Sequence, residues 1–183
     1  MNDFRAKALA HLKRHWHVSI AGTADASHLL NINSNTLKTR LNRGQALVMR
    51  EPAGPVRSAL SFTGYHLIYN LIADRLFRYG LGAEQIDVEE GGLPHIYATW
   101  AHDFILSPPH RDESTVRFVK EVDDRVTHML FEDGKADDWP DAAMTLPLGY
   151  MVTRLAGSLY ARSGHDEIVN EMLANVKALS EDI

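Results

Sequence analysis

The stretch that decides the fold is Thr23-Ala24-Asp25-Ala26-Ser27-His28-Leu29-Leu30-Asn31-Ile32-Asn33-Ser34-Asn35-Thr36-Leu37-Lys38-Thr39-Arg40-Leu41-Asn42-Arg43-Gly44. Thr23 is a plausible N-cap for a short helix over 24–30, and Asp25 sits where the helix dipole favours a negative charge. Asn31-Ile32-Asn33 interrupts that helix. Ser34 then caps a second helix over 35–43, which stops at Gly44 as a C′ glycine does. Counted from Asn31, the small residue four positions earlier is Ser27, which permits close helix approach. Leu30, Ile32 and Leu37 supply buried contacts between two helices meeting at a steep angle. Asn at the turn is acceptable because Asn tolerates the left-handed conformation.

Outward from this unit, residues 3–15 read as a helix with Phe4, Ala8, Leu12 and Trp16 four apart. After Gly44, the runs 46–50 and 56–62 flank the Pro/Gly-bearing tip Glu51-Pro52-Ala53-Gly54-Pro55, a hairpin signal. Thr63 can cap a longer helix ending at Tyr79-Gly80, with Leu67, Ile68, Leu71, Ile72, Leu76 and Phe77 at three- and four-residue spacing. Helix, three-residue turn, helix, hairpin, helix is the order of a winged helix-turn-helix. Residues 82–92 suit a connector, and 94–106 are apolar without a clear period. Valine-rich segments 115–121 and 125–132 around Asp123-Asp124 favour an antiparallel hairpin, although a helix through Val116, Val119, Val122, Val126 and Met129 also fits. An acidic loop over 134–141 precedes helices at about 147–162 and 165–180. The expected fold is mainly α with small β elements: an N-terminal winged helix-turn-helix over 1–80 and a C-terminal α+β region over 81–183.

Charge divides the chain at the same place. Residues 1–80 carry 11 Lys+Arg against 4 Asp+Glu, and residues 81–183 carry 8 against 20. A basic segment joined to an acidic one suggests polyanion contact by the first. The second helix turns Ser34, Asn35, Lys38, Thr39 and Asn42 outward, flanked by Arg40 and Arg43, with no carboxylate among them. Such a helix can read base edges in a major groove while its arginines grip phosphate.

Residues 20–80 resemble the DNA-binding domain of MerR-type regulators and the related excisionase-like winged helices. The resemblance rests on 24–37, the basic Lys38–Arg43 followed by Gly44, and 57–62 leading into the helix over 65–80. It implies a second helix in the major groove and a hairpin wing over 46–62 on backbone or minor groove. On that basis Lys38, Arg40, Asn42 and Arg43 are recognition-helix contacts, and Arg50 and Arg57 are wing contacts.

Composition excludes several classes. At 45% hydrophobic the chain can pack a core, and with no cysteine it has no thiolate chemistry or cysteine-ligated metal. No apolar run reaches the roughly 18 residues that span a bilayer, and the polar start lacks a signal-peptide core. A cytoplasmic protein is expected. His11 and His15 share a helix face, but Leu12, Lys13 and Arg14 lie between them where a metalloprotease motif needs a Glu. His95, His102, Asp103, His110 and Asp112 form a second group without a readable geometry. No nucleophile elbow or nucleotide loop is present, so the expectation is a non-enzyme without cofactor or bound metal. The C-terminal stripes, Leu146, Leu148, Met151, Val152, Leu155, Leu159 and Tyr160 and then Ile168, Met172, Leu173, Val176 and Leu179, serve either intramolecular packing or a dimer or partner surface. The expected function is a homodimeric, sequence-specific reader of double-stranded DNA that regulates transcription. The alternative is a winged-helix protein-interaction module without DNA binding.

Overall fold

A computed structural model describes residues 2–50, 60–82, 92–111, 113–121, 125–131 and 143–163. Chain order begins α1 (Asn2–Arg14), β1 (Ser19–Gly22), α2 (Thr23–Leu30), α3 (Ser34–Asn42), β2 (Met49–Arg50), β3 (Leu60–Thr63) and α4 (Gly64–Arg78). After that come α5 (Leu93–Trp100) with a π-helical turn (Ala101–Ile105), β4 (Thr115–Lys120), β5 (Val126–Phe131), β6 (Met144–Leu146) and α6 (Leu148–Ser163). The first part is a winged helix-turn-helix whose three strands pair antiparallel in the order β1-β3-β2. The helix expected over 165–180 and the acidic loop over 134–141 lie outside the described residues.

At the helix-turn-helix corner the fully buried small residue is Ala26, whereas Ser27 is half-buried and its hydroxyl donates to the Ala24 carbonyl at 2.8 Å. Asn31 takes the left-handed conformation at φ 52°, and its N–H and that of Ile32 reach back to the His28 and Ser27 carbonyls. Leu30, Ile32 and Leu37 are buried together with Ala26. The capping residues stand one position earlier than expected. The N-cap of α2 is Gly22, with no side-chain bond, and Thr23 is already helical. The N-cap of α3 is Asn33, whose side-chain oxygen accepts from the Asn35 N–H at 2.9 Å, and Ser34 opens the helix. Asx and Ser residues compete for such positions, and here Asn33 has the extended backbone a cap requires.

Thr63 does cap α4. Its hydroxyl accepts from the His66 N–H while the His66 ring, through Nδ1, accepts from the Thr63 N–H, a reciprocal capping box. That acceptor role needs a neutral imidazole. Burial, and then the positive charge available to His17, pushes the His66 pKa down to about 4. Gly64 lets α1 approach: its N–H donates to the His15 carbonyl at 2.8 Å, and a Cβ here would lie 3.0 Å from the Leu12 and His15 carbonyl oxygens. The leading helix is thereby keyed into the start of α4.

The apolar face of α4 (Leu67, Ile68, Ile72 and Leu76) is sealed from solvent. The second sheet has the order β5-β4-β6, with Val116, Phe118 and Leu146 facing inward. The hairpin expected around Asp123-Asp124 forms, with Thr115 opposite Phe131 and Lys120 opposite Val126. Strands β1 and β6 were not expected. Residues 94–106 resolve as a helix that slips into a π turn, where the Leu106 N–H bonds the Ala101 carbonyl five residues back. One hydrophobic cluster draws on both sides of residue 80. The stripe from Leu146 to Tyr160 is buried inside the molecule, with Phe4 and His11 of α1 against the Tyr160 ring. On α6, intramolecular packing is the use made of that stripe.

Candidate nucleic-acid interface

Helix α3 is amphipathic in a particular way. Leu37 is fully buried and Leu41 is half-buried against the hydrophobic cluster, on the side where α3 packs on α2. The opposite side presents Ser34, Asn35, Lys38, Thr39, Asn42 and Arg43, all exposed. Residues at i, i+4 and i+8 share a face, so Ser34, Lys38 and Asn42 form one row and Asn35, Thr39 and Arg43 the adjacent one. No carboxylate lies on the helix, and among the described residues neither Lys38 nor Arg43 has an ion-pair partner. Hydrogen-bonding amides and hydroxyls thus stand beside two exposed cations. The Thr39 hydroxyl donates to the Asn35 carbonyl at 2.8 Å, leaving its oxygen lone pairs outward.

Arg40 is the exception. Its guanidinium donates to Asp74 Oδ1 at 2.9 Å and lies 4.9 Å from the centre of the Phe77 ring. Its side chain is 18% exposed and that of Asp74 8%. Asp74 also receives the Arg78 Nε at 2.8 Å through its other oxygen. Arg40 is therefore a brace between α3 and α4, drawn back from the outward face. Nearby, the Asn70 side chain accepts from the Leu47 N–H at 3.0 Å and donates to the Leu47 carbonyl at 2.7 Å, pinning the stem of the wing to α4.

The wing pairs Met49 with Ser61 and Arg50 with Leu60. Arg57 and the tip lie outside the described residues, and of Arg50 only the backbone in β2 is described. Asp74 and Asn70 are the residues that sequence reasoning missed. Their signal was present: Asn70, Asp74 and Arg78 recur every four residues along a helix whose neighbouring positions are apolar.

The histidine groups take structural positions. The His11 and His15 rings lie 4.5 Å apart, and His15 Nδ1 contacts the His11 carbonyl. His95 meets the Tyr65 hydroxyl, His102 pairs with Asp103, and His110 contacts the Ile105 carbonyl. Asp112 lies outside the described residues. Among the described residues, no three His, Asp or Glu side chains gather to hold a metal ion, and no helix is long and apolar enough to cross a membrane. No protein-family model matches the chain, and no curated protein or solved structure matches it.

Proposed function

We propose that this chain is a sequence-specific double-stranded DNA-binding regulator of transcription, acting in the cytoplasm as a homodimer, as in MerR-type regulators. Helix α3 enters the major groove, where Ser34, Asn35, Lys38, Thr39 and Asn42 face base edges. Arg43, with Arg50 and Arg57 of the wing, supplies phosphate or groove contacts. Arg40 holds α3 at its angle through Asp74. The observation that carries this reading is the acid-free outward stripe of α3, set on a helix whose other face is locked by Leu37 and Leu41. Pairing of two copies follows from the few bases one helix can reach.

The test is anisotropy titration of labelled duplex at several salt concentrations. Wild type should lose affinity steeply as salt rises. Arg43→Ala should lower the salt slope by about 1, the signature of one phosphate contact removed, and Lys38→Ala should weaken binding by about 1–3 kcal/mol and relax specificity at one base position. Equal affinity and equal slope in the wild type and the double variant would refute the assignment. No duplex binding at all would leave the protein-docking reading.

A further inference from the structure

A cleft of about 530 Å³ opens where the end of α2 faces α4 and α6, a volume within the range of small-molecule sites. Its charged lining is lopsided. Arg75 and Arg78 of α4, Arg154 and Arg162 of α6 and His28 of α2 face it, with Asp74 the single carboxylate among the described residues. Arg78 is engaged by Asp74, and Arg162 by Asp25 at 3.1 Å. Arg75 and Arg154, both exposed, have no carboxylate partner among the described residues. Between the cations the wall is apolar, with Leu29, Leu71 and Met151. Guanidinium forks on two facing helices suit bidentate capture of phosphate or carboxylate, and the apolar wall suits an organic body attached to it.

We infer that this cleft binds a small organic anion, an aromatic or aliphatic phosphate or carboxylate, and that its occupancy is passed to α3 through Asp74. The link is a shared carboxylate: Oδ2 holds Arg78 at the cleft, and Oδ1 holds Arg40 on α3. An anion in the cleft competes for Arg78. Asp74 is then left to Arg40 alone, and the brace on α3 tightens. The second half of the inference rests on the DNA-binding reading; the first half does not.

The experiment uses the full chain with phenyl phosphate as probe, inorganic phosphate as the fragment without an apolar body, and chloride at matched ionic strength. Phenyl phosphate should bind by calorimetry and raise the melting temperature above the chloride control, with inorganic phosphate weaker. Arg75→Gln/Arg154→Gln changes only exposed side chains and should bind phenyl phosphate at least about tenfold more weakly, as loss of charge-assisted contacts requires. Equal affinity in that variant, or stabilisation no greater than chloride gives, overturns the site. With duplex present, phenyl phosphate should strengthen DNA binding about fivefold or more, within the usual range of coupling between sites. Arg78→Gln should abolish the enhancement while leaving the Arg40–Asp74 pair in place. Retained enhancement in Arg78→Gln overturns the relay. Weakened DNA binding by Arg75→Gln/Arg154→Gln without any anion assigns those arginines to the DNA backbone and overturns the small-anion site. The calorimetric arm contains no DNA, so its outcome is independent of whether the chain reads a duplex.

Discussion

Replacing Asp74 by Asn keeps the volume of the side chain and one acceptor oxygen but removes the charge that two arginines share. The consequence differs for the two partners. Arg78 is 57% exposed and can turn to water, so its share is under about 1 kcal/mol. Arg40 is 18% exposed, held between Asp74 and the Phe77 ring, and would be left as a largely desolvated cation. Breaking a buried pair by removing one partner costs about 3–5 kcal/mol. The retained amide oxygen and the ring contact place the expected loss near the lower end, about 3 kcal/mol. For a chain of this size that corresponds to a melting temperature lower by about 6–12 °C. Urea denaturation measures the free energy directly, and a cycle with Arg40→Met isolates the pair. On the Arg40→Met background, Asp74→Asn should cost under about 1 kcal/mol, giving a coupling of about 2 kcal/mol. A loss below about 1 kcal/mol in the single variant, or a coupling near zero, would refute the view that Asp74 braces α3.

Gly64→Ala should destabilise the protein by about 1–3 kcal/mol, although Ala is the better helix former, because the new methyl meets the carbonyl oxygens of Leu12 and His15; thermal unfolding gives the sign. His66 has a pKa below its unfolded value, so the unfolded chain binds the extra proton: stability is unaffected above pH 6.5 and falls as pH drops from 6.5 toward about 4. After allowance for solvent screening the loss is about 2 kcal/mol, and His66→Gln, which preserves the capping box, should remove that part of the acid dependence in pH-resolved urea curves. Asn70→Ala leaves both polar groups of the Leu47 backbone without their partner, at a cost of about 2–3 kcal/mol. Faster hydrogen exchange of the Leu47 amide should accompany it.

What could be read from the sequence was what depends on neighbours in the chain. Asn31 with Leu30, Ile32 and Leu37 announces a helical corner within eight residues, and Thr63 with the apolar spacing behind it announces α4. Valine alternation around Asp123-Asp124 announces β4 and β5 for the same reason. The elements that escaped notice owe their existence to distant partners. Ser19–Gly22 becomes a strand only because β3 lies beside it, and Met144–Leu146 only because of β4. The period of 94–106 is blurred by the π turn, which adds a residue and shifts the buried face. Caps were displaced by one residue because Asn33 and Ser34, or Gly22 and Thr23, rank close together at the N-cap position. At the interface the outward row of α3 was legible from its spacing. The retreat of Arg40 was not, since its partner Asp74 stands 34 positions away in the chain.

The keying of α1 into both α4 and α6 has a consequence for any pair of copies. Through Gly64 the leading helix is joined to α4, and through Tyr160 to α6. Packing on α1 thus links α4 to α6 directly. In a dimer held through the C-terminal region, the distance between two α3 helices is set by protein geometry alone. Target sites whose halves are moved apart by about 5 base pairs, half a turn of duplex, would present the second half on the wrong side and be bound as a single half-site.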